Sequence, residues 1–150
     1  MSSWAEFAAE APEFAARVRE LFAIGTNKTI ATVRADGSPR ISGTEVEIEG
    51  DDVTLGMMPG SRKLADVERD PRVAIHSPTL EPPEDLSQWP GDAKVAGVLR
   101  ERPVPEGGLP GSYFALDLSE VVHTRMNETG TTLVVESWHP GRGIRRIQRA

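Results

Sequence analysis

Pro59-Gly60-Ser61-Arg62-Lys63 places a tight turn, a hydroxyl and two cations in five consecutive residues. An alternating strand pattern ends at Met58, Gly60 lets the backbone turn sharply, and Ser61 opens a short helix. The first N–H groups of a helix have no internal acceptor, so such an end binds anions, phosphate above all. Arg62 and Lys63 fall in the first turn, where the helix dipole disfavours cations. Asp66, Glu68 and Asp70 fall toward the end, where it disfavours anions, and each misplacement costs about 0.3–1 kcal/mol. An anion at the helix start would reverse the sign for Arg62 and Lys63 and add charge-assisted hydrogen bonds worth about 1.5–3 kcal/mol each. A solvated short helix with indifferent charges accounts for the same letters without a ligand.

A second group lies on the strand that follows Ser38-Pro39. Side chains two apart on a strand share a face, so Arg40, Ser42 and Thr44 offer one cation and two hydroxyls to one surface. Other chemistries are absent. The chain has no cysteine, hence no thiolate nucleophile, disulfide or Cys-based metal site. It has no G-x-S-x-G elbow and no G-x-G-x-x-G, and Gly56–Lys63 lacks the Gly-Lys-Ser/Thr of a P-loop. His76, His123 and His139 do not have metal-ligand spacing and fit surface or satisfied core positions.

The elements that must position these groups can be outlined from periodicity. Trp4, Phe7, Phe14, Val18, Leu21 and Phe22 recur at helical steps and predict one amphipathic helix over 3–23, with Pro12 as a point of disturbance and Gly25 as its stop. Strands are expected at 29–34, 40–48, 53–58, 72–77, 95–99, 114–118 and 131–138, with a hairpin at Ala35-Asp36-Gly37 and one helix over 61–69, stopped by Asp70-Pro71. Residues 78–91 hold four of the twelve prolines and form a loop that either covers a cleft and sets substrate choice or merely connects; Pro103–Gly111 is a Pro/Gly connector. The pattern is mainly β: one small antiparallel barrel spanning about 24–138, an N-terminal helix, one short helix after the third strand, and a basic tail over 139–150.

Length fits one domain over residues 1–150. No apolar run approaches the roughly 18–20 residues that span a bilayer, and the N-terminus lacks a basic region before an apolar core, so a cytoplasmic location and no membrane partner are expected. The net charge of −6 disfavours nucleic acid. Arginine outnumbers lysine 14 to 3, which suits phosphate recognition but equally fits a GC-rich coding sequence.

Taken together, A-T-V-R-A-D-G-S-P-R (31–40) and G-S-R-K followed by D-P-R-V (60–63, 70–73) resemble the pyridoxamine 5′-phosphate oxidase-like superfamily, the FMN- or deazaflavin-binding split β-barrels. The resemblance is densest over 29–76. It implies a homodimer with a cofactor in each of two clefts between subunits. Ser61, Arg62 and Lys63 would hold the cofactor phosphate, and Arg40, Ile41, Ser42, Gly56 and Met57 would flank the phosphate and the ring. V-E-S-W-H-P-G-R-G-I-R-R is similar to the C-terminal segments of the true oxidase. By that match Trp138 would touch the flavin, and Arg145 or Arg146 the cofactor or substrate phosphate. No histidine follows Arg145, where the oxidase uses one, and the chain is short of a full oxidase, so oxidation of pyridoxamine phosphate is not expected.

FMN is the expected cofactor and the deazaflavin coenzyme F-420 the alternative, for whose polyglutamate tail Arg142–Arg149 would be a track. The activity implied is hydride transfer to or from an unidentified small molecule. The cofactor would carry the chemistry, so no catalytic side chain and no metal are needed. A non-catalytic flavin- or haem-binding module, with one of the histidines as haem ligand, and a scaffold with an empty cleft are the competing readings.

Overall fold

A computed structural model describes all residues, 1–150. The N-terminal segment is two helices, α1 (Trp4–Glu10) and α2 (Pro12–Phe22), rather than one. The Ser3 hydroxyl accepts from the Glu6 N–H and the Glu6 carboxylate accepts from the Ser3 N–H, a capping box that starts α1. Pro12 would clash with the carbonyl four residues back, so the chain breaks at Ala11 (φ −134°), and proline occupies the first helical position, where it has no N–H to satisfy.

The strands are β1 (Asn27–Val33), β2 (Pro39–Glu45), β3 (Glu47–Glu49), β4 (Asp52–Met57), β5 (Arg72–His76), β6 (Asp92–Arg102), β7 (Ser112–Met126), β8 (Leu133–His139) and β9 (Gly143–Arg149). The third helix, α3 (Arg62–Arg69), therefore follows the fourth strand, not the third. The difference arises at Val46. The expected strand over 40–48 buries Val46 and changes partner there: β2 pairs with β1, whereas β3 pairs with β4. Strand order is β2-β1-β5-β6-β7-β4-β3, antiparallel throughout, so the two ends of the path are halves of one continuous run. That is what curls the sheet into a barrel with a split. The expected tail over 139–150 is instead strand β9, in a hairpin with β8 beside this path.

The core closes from both chain ends. Phe7 packs edge-on against Trp4 and Phe14, at centroid distances of 5.0 and 5.7 Å, and Trp138 from β8 lies 4.7 Å from Phe7. β6 and β7 form the longest ladder, with a bulge where Gly97 passes directly over the Asp117 carbonyl, leaving no room for a Cβ.

Candidate functional site

An open cleft of about 580 Å³ lies between the β2–β3 bend, β4 and the connector over 103–111. This is within the usual range for small-molecule sites, roughly 300–1,000 Å³. Its position follows from strand pairing. Gly56 faces Tyr113 and Met57 faces Ser112 across the β4–β7 ladder, which brings the end of the connector over the end of β4. Gly111, at φ +142°, packs against the Met57 carbonyl. The segment covering the cleft is thus 103–111, with Leu109 87% exposed at its tip. The loop over 78–91 does not line it. That loop is held by Ser77, which pairs with Ala93, and by His123, whose Nε2 donates to the Pro90 carbonyl at 3.0 Å. It contains a 3-10 turn at Leu86–Gln88.

The start of α3 sits at the edge of this cleft. Gly60 adopts φ +74°, and the Ser61 hydroxyl caps the helix by accepting from the Leu64 N–H at 3.3 Å. The N–H groups of Arg62 and Lys63, in the first turn, have no helical acceptor. Lys63 lines the cleft, and its Nζ donates to the Gly43 carbonyl at 2.7 Å, pinning α3 to β2. Arg62 is exposed and forms no ion pair.

Arg40, Ser42 and Thr44 share the inward face of β2, as the alternation predicts, but of the three only Thr44 lines the cleft. Arg40 turns to α3, where its Nε donates to Asp66 Oδ2 at 2.7 Å. Thr32 Oγ1 donates to the same oxygen at 2.7 Å, and Arg69 reaches Oδ1 at 3.3 Å. The hydrogen bond from Arg40, reinforced by those from Thr32 and Arg69, outweighs burial and holds the Asp66 pKa at about 2. Ile41 points outward, 74% exposed.

Of the expected site residues, the structure gathers Gly56, Met57 and Lys63 in the cleft, with Ser61 and Arg62 next to them in the chain. Arg40, Ile41 and Ser42 stand on the adjoining strand without lining it. Trp138 does not fit the expected flavin contact, because it is 1% exposed and packed on Phe7 in the core. Arg145 lies on β9 opposite Ser137, away from the cleft lining, and Arg146 is drawn to Glu136 at 3.3 Å. Sequence reasoning missed Asp66 as a partner for Arg40 and missed the connector as the cover. The available signal for the connector was Leu109, a large apolar residue among prolines and glycines.

No histidine lines the cleft. His123 is 2% exposed, and burial pushes its pKa down. His76 and His139 lie 3.7 Å from Asp92 and 3.0 Å from Glu120, respectively.

No protein-family model matches the chain, and no curated protein matches it. Solved structures do. A pyridoxamine 5′-phosphate oxidase-related, FMN-binding protein from Nostoc punctiforme is similar at 12% identity and TM-score 0.63, over 100% of this chain and 98% of that one. An F-420 reductase is similar at 16% identity and TM-score 0.51, over 67% and 92% of the two chains. A heme-binding protein from Mycobacterium smegmatis is similar at 14% identity and TM-score 0.52, over 89% and 88%. At such identities the likeness is one of fold. The protein has the split β-barrel fold that these structures share. The Nostoc protein is named for FMN, the reductase for F-420 and the Mycobacterium protein for heme. No helix is long and apolar enough to cross a membrane.

Proposed function

We propose that the protein binds FMN, or the deazaflavin F-420 in its place, in the cleft beneath the 103–111 connector and serves as an oxidoreductase for a small molecule. The observation that carries this reading is the start of α3. Free N–H groups, an uncompensated Arg62 and the cleft-lining Lys63 meet beside a cavity large enough for a ring system. These residues fit a phosphate: Lys63 spends one of its three donors on Gly43, and Arg62 keeps all five. Ser61 fixes the turn, and the ring would lie along the end of β4 at Gly56 and Met57. Bound there, a flavin would supply the hydride chemistry, and the protein's part is to hold, orient and cover it.

The reading includes a homodimer. Ile41, Ala31, Ala74 and Ala96 stand in register across β2, β1, β5 and β6 on the outward face, an apolar row suited to contact with a second sheet. Met58 at 76% exposure and Leu109 add apolar surface at the cleft mouth.

Titration of the apoprotein with FMN tests the site. Replacing Arg62 and Lys63 together by Ala removes two charged donors, about 3–6 kcal/mol, and should weaken FMN by at least about 100-fold while circular dichroism stays unchanged. Unaltered affinity in that variant would falsify the assignment.

A further inference from the structure

We propose that Asp66 is a positioning residue that aims Arg40 at the anion held by the start of α3; this rests on the phosphate reading above. Arg40 is partly buried, its side chain 18% exposed, and only one of its five N–H donors has a protein acceptor: Nε, on Asp66. The four Nη donors make no bond within the chain. The Nη groups are open to solvent rather than sealed in the core, so they are free to take an anion, and their paired edge suits a phosphate or carboxylate.

Asp66 is built to hold that arrangement still. Its side chain is 4% exposed. Oδ2 accepts from Arg40 and from Thr32, each at 2.7 Å, and Oδ1 from Arg69, which also donates to the Val33 carbonyl at 2.7 Å. Donors from β1, β2 and α3 therefore fix both carboxylate oxygens. Because the carboxylate occupies the Nε edge, only the Nη edge remains for a ligand. The pair also lies at the right level. Arg40–Asp66 and Gly43–Lys63 are two rungs joining the same strand and helix, three residues apart on each. On the helix that is about 4.5 Å of rise, within one turn, and on the strand about 10 Å, a span the long arginine side chain reduces. Arg40 thus stands one rung from the cation that lines the cleft.

The test compares FMN with riboflavin, which differs by the phosphate alone. Asp66→Asn weakens the anchor but also removes one negative charge from the neighbourhood, and with it a long-range repulsion of the phosphate that salt suppresses. Affinities are therefore measured by flavin fluorescence in about 0.5 M NaCl, where the Debye length is roughly 4 Å. The wild-type protein should prefer FMN to riboflavin. Asp66→Asn should shrink that preference by roughly tenfold, the equivalent of one charged hydrogen bond, while riboflavin binds as before. Thr32→Val, which loosens the carboxylate without altering charge, should shrink it less. On an Arg40→Ala background, Asp66→Asn should add nothing.

A preference that is unchanged or increased in Asp66→Asn overturns the inference. So does an equal weakening of both flavins, the mark of a merely structural role, or additivity with Arg40→Ala. Should Asp66→Asn fail to fold, the Thr32→Val comparison decides by the same criteria. A wild-type protein that does not distinguish the two flavins defeats the phosphate reading itself, and the inference with it; failure confined to the variants defeats only the role of Asp66.

Discussion

Glu136 is the most heavily shared acid in the protein, and replacing it by Gln probes how the C-terminal hairpin is held. Its side chain is 5% exposed, and it meets Arg125 at 3.1 Å, Arg17 at 3.3 Å and Arg146 at 3.3 Å. Three elements, α2, β7 and β9, thus converge on one carboxylate of β8. Breaking a fully buried pair costs about 3–5 kcal/mol. Here the arginines are 39%, 25% and 54% exposed and can rehydrate, so each pair is worth nearer the surface value of about 0–1 kcal/mol. The sum is about 2 kcal/mol, a fall in melting temperature of about 4–8 °C for a chain of this length. Burial by itself would raise the Glu136 pKa, but the Arg125 hydrogen bond and the charges of Arg17 and Arg125 outweigh it and leave it lowered. A carboxylate with a lowered folded pKa adds stability that is complete above its unfolded value of about 4.3 and is lost as pH falls through the folded value. Urea unfolding of wild type and Glu136→Gln should therefore show a gap at neutral pH that narrows in acid, with the denaturant slope unchanged. Equal midpoints at pH 7, or a gap that persists well below the unfolded value, would mean that Glu136 does not hold the hairpin by its charge.

Two further outcomes are expected. Gly97→Ala drives a Cβ into the Asp117 carbonyl at the β6–β7 bulge and should destabilise the fold by about 1–3 kcal/mol, measured as a lower urea midpoint; wild-type stability would mean that the bulge relaxes freely. Ile41→Asp puts a charge on the outward apolar row and should convert a two-chain species to one chain in sedimentation equilibrium, whereas a wild-type protein that sediments as one chain removes the dimer from the proposal.

Local features were legible in the order of residues alone. The Asp36-Gly37 turn, the stop at Asp70-Pro71, the helix opening at Ser61 and the shared face of Arg40, Ser42 and Thr44 all rest on steric and hydrogen-bonding rules that act within a few residues. The resemblance carried by 31–40 and 60–73 named the barrel, and the fold bears it out. Tertiary structure decided everything that depends on a partner distant in the chain. Val46 divides an expected strand because its two halves pair with different neighbours. Trp138 alternates as a strand residue whether its ring meets a ligand or Phe7, and only the docking of α1 selects the latter. The Arg142–Arg149 segment has the composition of a loose tail, but pairing with β8 makes it a strand. Arg40 lies on the expected face of β2, but what its guanidinium meets is set by Asp66, contributed by a helix folded back over the sheet. Periodicity tells which way a side chain points; it carries no information about what another part of the chain will bring to that spot.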